Sequence, residues 1–166
     1  MTLHFTHNLQ EAQSNIQAEG YHEIIVHDKE EPKDYMNSCD IVEKYGNAKH
    51  EIVELINQVY NKSFNHHNWI NKNLEDEVAY FINEVGSNSL NHSEFKAPHK
   101  FHVWFGKQGF IVAVEQLGKG FNAEDVHENK IKSNEGRAFE FFNNCKSKIF
   151  FDDSKEAKIV FMEHEI

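Results

Sequence analysis

The apolar residues of this chain change period at Pro98, and that change most constrains its fold. Before it, Ile52, Leu55, Ile56, Val59 and Tyr60 fall at helical spacing within 47–64. Leu74, Val78, Phe81, Ile82 and Val85 do the same in the next run. After Pro98, Phe101, Val103 and Phe105 alternate with His102 and Trp104. Gly106-Lys107-Gln108-Gly109 then turns the chain into a second β run, Phe110–Gln116, so 100–116 reads as a hairpin. A helix with one apolar stripe and a strand with one apolar face each need a cover. The order therefore predicts an α+β two-layer sandwich, with a mixed and mainly antiparallel sheet packed on helices.

The flanks extend this plan. Residues 8–19 predict a short helix, with Asn8 and Glu11 as a capping pair and Gly20 as its stop. Tyr21–His27 is β-prone, 28–34 is a charged loop around Pro32, and 35–46 fits neither period. Asn73 is suited to cap the second helix, with Glu75 and Asp76 in its first turn. A short helix is expected over Gly136–Cys145, then two strands, Ser147–Phe151 and Lys158–Met162, around an Asp152-Asp153-Ser154 turn. No Pro/Gly/Ser-rich linker divides the chain. Residues 1–46 are thus expected as an N-terminal extension packed on the domain formed by 47–166.

Charge narrows the function. Lys and Arg total 17 against 27 Asp and Glu, a net charge of −10. That excludes a nucleic-acid groove, which needs clustered cations to displace counterions. An anionic nucleotide can be met only through local backbone dipoles and a metal ion. The apolar fraction is 39%, but 14 Phe supply bulky core material. No apolar run approaches the roughly 20 residues of a membrane helix. Met1–His7 lacks the basic start and apolar stretch of a signal peptide. Cys39 and Cys145 are far apart, so no disulfide scaffold or zinc ribbon is indicated. The expectation is a soluble cytoplasmic protein.

Glu84, Asn88 and His92 are spaced by four and climb one side of the second helix, on the flank of its apolar stripe. A carboxylate and a carboxamide there lose hydration and must find partners. Asn88 offers one hard oxygen to magnesium, with phosphates and water as the other ligands. Glu84, one turn earlier, is placed to take a proton from an attacking hydroxyl. The plainer reading is a polar helix edge with local hydrogen bonds, and spacing alone favours it. Val114–Phe121 ends a β run with Gly118 and Gly120, a pair that lets backbone approach a ligand, or an ordinary strand-end turn. Gly136-Arg137-Ala138 puts small residues at a helix start, where free amides can hold phosphate oxygens or simply join a loop to a helix.

In this order and spacing the three segments resemble the ATP-binding domain of the GHKL superfamily, shared by gyrase-type topoisomerases, Hsp90, histidine kinases and MutL. The likeness spans about residues 47–162 and is nearest the single-domain anti-sigma-factor serine kinases. It implies a Bergerat-type fold binding ATP with Mg2+. Glu84-x-x-x-Asn88-x-x-x-His92-Ser93 resembles the family's N box, which makes Glu84 the general base and Asn88 the magnesium ligand. Gln116-x-Gly118-x-Gly120-Phe121 is similar to the D-x-G-x-G-F box at the adenine end. Gly136, Arg137 and Ala138 stand where the family has its phosphate-binding G-x-G. By the same likeness 121–135 is a mobile lid, Lys119, Lys130 or Lys132 reaches phosphates, and the acceptor is a serine or threonine of a regulatory protein partner. A homodimer fits the same family.

Two positions depart from that pattern. Gln116 replaces an aspartate, and Ala138 replaces a glycine. Glutamine keeps a carbonyl acceptor but is longer, uncharged and carries a donor. These changes carry a second reading, a degenerate, non-catalytic binding module that kept the fold. Twelve histidines, including His66-His67 and the pair His99 and His102, lack matched zinc spacing and read as solvated loop residues. Cys145, beside Phe141 and Phe142, reads as core packing.

Overall fold

The fold is seen in a computed structural model, which describes residues 3–27, 39–64, 77–92, 94, 98–126, 128 and 146–166. The chain runs β1 (Leu3–His4), α1 (Leu9–Ile16), β2 (Ala18–Ile25), α2 (Cys39–Tyr60) and α3 (Glu77–His92). It continues with β3 (Pro98–Gly106), β4 (Gly109–Gln116), β5 (Lys148–Phe151) and β6 (Ile159–Glu165). The six strands lie in the order β1-β5-β6-β4-β3-β2. All neighbours are antiparallel except β1 with β5, a two-residue parallel edge. The expected α+β sandwich is formed.

Alternation decides which side of the sheet is covered by which helices. Phe101 and Val103 of β3, Phe110, Val112 and Val114 of β4, and Met162 of β6 are buried in the larger core. They meet Ile52, Val53 and Ile56 of α2 and Val78, Phe81, Ile82 and Val85 of α3. Full burial of a side chain such as Phe81 contributes about 2–3 kcal/mol. The other parity faces α1: Ala12 and Ile16 pack with Ile111, Ala113, Phe150 and Phe161, and the last two rings stack at 4.7 Å. α1 thus adds a small cover on the far side of the two main layers.

Hydrogen bonds at element ends fix these layers. Asn8 caps α1 by accepting from Glu11 N at 2.9 Å, and its Nδ2 donates to the Glu11 carboxylate at 3.1 Å. The helix stops at Gln17, in the left-handed region at φ 55°, not at Gly20, which lies inside β2. Carbonyls freed at that end are met by the β3–β4 turn: Gln108 N donates to Ile16 O at 2.9 Å. Across the sheet, Tyr60 at the end of α2 accepts from Gly106 N at 2.9 Å, and Gly106 O and Gly109 O lie equally near to take its single proton.

Two buried carboxylates also tie elements together. Glu163 of β6 accepts from Asn15 of α1 at 3.1 Å and His7 at 3.3 Å, with Lys148 Nζ 3.5 Å from its other oxygen. Glu77, the first residue of α3, accepts from Lys146 N at 3.0 Å and from Ser147 N at 2.9 Å. It also accepts from the Ser147 hydroxyl, which pairs with His164 Nδ1 at 2.8 Å.

Two boundaries differ from the periodicity. α2 begins at Cys39, eight residues before the expected start, and its early turns bury Tyr45 against Phe101, ring centroids 5.9 Å apart. α3 holds Gly86 against that tyrosine; a Cβ there would stand 2.3 Å from the Tyr45 ring. The expected cap Asn73 and the expected helix over Gly136–Cys145 lie outside the described residues. Among the described residues no helix is long and apolar enough to cross a membrane.

Candidate functional site

Glu84 sits on the middle turns of α3, half-buried, where Phe81, Ile82 and Val85 fix the helix against the sheet. Burial pushes its carboxyl above the usual carboxylate range, and among the described residues no hydrogen bond or neighbouring charge draws it back. Asn88 and His92 fall on the last turns of the same helix, as the spacing predicts, and their side chains lie outside the described residues.

Beside Glu84, two residues that periodicity did not single out meet between α3 and α2. Asn83 is buried, donates to Ala79 O at 2.9 Å and accepts from Lys49 Nζ of α2 at 2.8 Å. That ammonium also lies 4.3 Å over the Tyr45 ring, while the Tyr45 hydroxyl donates to Asn83 O at 3.0 Å. Burial holds Lys49 below the usual lysine range. A polar residue at 83, flanked by Ile82 and one turn beyond Ala79, was the only sequence signal of this bridge.

The glycine segment follows β4. Gln116 Nε2 donates to Lys119 O at 2.8 Å, which closes the turn and leaves the amide oxygen as acceptor. Gly118 takes φ 82°, a left-handed conformation that explains glycine there. Gly120 has another cause: a Cβ would come within 2.5–2.8 Å of the Glu156 and Ala157 backbone. Phe121 and Ala157 exchange backbone hydrogen bonds at 2.9 and 2.7 Å, and the Phe121 ring packs edge-on to Phe151. The turn is joined to the end of α3 because Lys119 N donates to Glu94 at 2.6 Å.

The beginning of the expected lid is pinned. Ala123 N donates to Ser154 O at 2.8 Å, and Asn122 caps the helical turn 123–126 by accepting from Asp125 N at 3.0 Å. A lid over 121–135 would therefore have to start beyond Val126. Gly136, Arg137 and Ala138, with Lys130, Lys132 and Cys145, lie outside the described residues, as do His66 and His67. So the glycine turn is tied to Glu94, two residues past the end of α3, and among the described residues no hydrogen bond joins it to Glu84 itself, while the third expected segment lies outside the described residues.

Two open clefts of about 610 and 480 Å³ flank α1, on the other side of the sheet, and touch neither Glu84 nor Gln116. Among the described residues no group of three or more His, Cys, Asp or Glu is arranged to hold a metal ion. Among the described residues the site thus offers a carboxyl raised by burial at Glu84 and an amide oxygen acceptor at Gln116. No protein-family model, curated protein or solved structure matches the chain.

Proposed function

We propose that the chain binds a magnesium-complexed adenine nucleotide between α3 and the 116–120 turn, and transfers its terminal phosphoryl group to a partner protein's serine or threonine. The observation that carries this reading is the hydrogen bond from Lys119 N to Glu94, which draws the glycine turn to the end of the helix bearing Glu84, Asn88 and His92. Glu84 would accept the proton of the attacking hydroxyl. A carboxyl already raised by burial is a stronger base than an exposed one. Gln116 would accept a hydrogen bond from the base through the oxygen left over when its nitrogen bonds Lys119 O. Magnesium, when bound through Asn88, would neutralise charge on the phosphates, and the remainder of catalysis would be positioning. Such a nucleotide-consuming regulator belongs in the cytoplasm, acts on protein, and is compatible with a homodimer.

Calorimetric titration of the whole chain with ATP, ADP and GTP, with and without Mg2+, tests the reading. Magnesium-dependent binding of ATP and ADP is expected, with Asn88→Ala weakening it. Glu84→Gln should keep binding and cut transfer to an acceptor protein by about 10²–10⁴-fold. A second reading is a binding module without nucleotide. It is favoured by Gly120, whose small size is fully explained by its packing on Glu156 and Ala157. Absence of heat at millimolar nucleotide, persisting after Gln116→Asp and Ala138→Gly are combined, would sink the first reading in favour of the second.

A further inference from the structure

On the sheet face beyond α1, two imidazoles converge on one carboxylate oxygen. His99 Nε2 and His102 Nε2 stand 3.6 and 3.7 Å from Glu115 Oε2, close but outside hydrogen-bond reach. His102 is buried, and its Nε2 has no hydrogen-bond partner. The opposite ring nitrogens are already committed. His99 Nδ1 lies 2.6 Å from His27 O, a carbonyl that can only accept, so the proton of a neutral His99 is on Nδ1. His102 Nδ1 lies 2.6 Å from the Tyr21 hydroxyl, which donates its one hydrogen to Glu23 at 2.8 Å. That hydroxyl keeps its proton at neutral pH, its pKa raised to about 12 by burial first and then by Glu23. His102 therefore also carries its proton on Nδ1. With both rings neutral, two bare Nε2 lone pairs face a carboxylate.

We infer that His99, His102 and Glu115 form a proton-operated clamp at the end of the β3–β4 ladder: as pH falls, each ring gains a proton on Nε2, and both N–H groups close on the same carboxylate. Histidine side chains are the groups able to do this between about pH 5 and 8. Glu115 stays ionised through that range, because nearby His102 first, then His99 and Lys100, hold it below the usual carboxylate range. The other described charges facing the cluster are Glu23 of β2 and Lys100 of β3, which approach each other at 3.7 Å. Ile159, opposite Glu115 on β6, brings no charge. The clamp acts where the ladder is weakest, at the irregularity between Pro98 and Lys100, and one residue before Gln116. Closing it gains charge-assisted hydrogen bonds and firms the strand end from which the 117–120 turn leaves. This does not depend on what binds beside Glu84.

Nitrogen NMR of the histidine-labelled full chain tests the clamp. At high pH both rings should show the Nδ1–H tautomer. On acidification both Nε2 atoms should gain protons, and the protection factors of the Lys100 and Glu115 amides, exchange measured against the unfolded chain at the same pH, should rise several-fold. Glu115→Gln should abolish the rise in protection while the rings still protonate. Tyr21→Phe should free His102 alone to take the Nε2–H tautomer, and it keeps the test alive if the first variant folds poorly. An Nε2–H tautomer on either ring of the parent at high pH would overturn the inference, as would protection factors indifferent to pH or to Glu115→Gln. Stoichiometric zinc held by the parent and lost from Glu115→Gln would overturn it in favour of a metal.

Discussion

The first turn of α3 and its middle turns carry one glutamate each, seven residues apart and therefore on nearly the same face of the helix. Their surroundings are opposite. Glu77 is 7% exposed, and both oxygens accept hydrogen bonds from residues 146–147. Glu84 is half-buried, and burial alone acts on its carboxyl. Helix position therefore does not make a carboxylate reactive; an incomplete set of donors does. Glu77 spends its charge on joining two distant segments, whereas Glu84, with no donor among the described residues, carries its charge at a cost.

The contrast breaks most visibly at Glu77. Glu77→Ala leaves Ser147 N buried without its acceptor and releases the start of α3 from residues 146–147. Bonds to a charged acceptor are worth about 1.5–3 kcal/mol each, and loss of this set should cost about 3 kcal/mol. Urea unfolding should show the midpoint falling with an unchanged slope. A loss below about 1 kcal/mol would mean that water replaces Glu77 and that the two glutamates differ less than their burial suggests. Ser147→Ala is a milder cut. It keeps both backbone donors but removes the hydroxyl between Glu77 and His164, with an expected cost of about 1 kcal/mol in the same measurement.

What was legible in the sequence follows the same division between local and distant partners. The Asn8–Glu11 cap, the hairpin turn at Lys107–Gln108 and the α3 stripe from Val78 to Val85 are set by neighbours within four residues or by strict alternation, and the structure has them; Leu74 lies outside the described residues. The start of α2 was hidden because Val42, exposed, and Gly46 interrupt its apolar face, while Tyr45 is buried by Phe101, far along the chain. The stop of α1 was misplaced because β2 begins directly after Gln17, whose left-handed turn needs no glycine here. At the candidate site Glu84 was visible as one rung of a four-residue ladder. Lys49, Asn83 and Glu77 were not, since each is defined by a partner at least 34 residues away. Gly120 shows the converse: a motif glycine whose size is demanded by strand packing.

The smallest expected effect sharpens the comparison from the Glu84 side. A carboxyl whose folded value is raised releases its proton more readily in the unfolded chain. Its contribution to stability is complete below the ordinary glutamate range and is lost as pH rises through that range to the higher folded value. Glu84→Gln, which never ionises, should match the parent at acid pH and become the more stable of the two above the raised value. The gap should be less than about 1 kcal/mol, because a half-exposed charge is screened by water. Paired urea titrations at pH 4 and pH 8 read it directly. A variant less stable than the parent at pH 8 would mean that the carboxylate gains a partner in solution. Glu84 would then be a second structural glutamate like Glu77, and its proposed role as a base would fail. The reverse sign of effect at the two glutamates, a large loss at 77 and a slight gain at 84, is what separates a carboxylate built into the fold from one held ready for a proton.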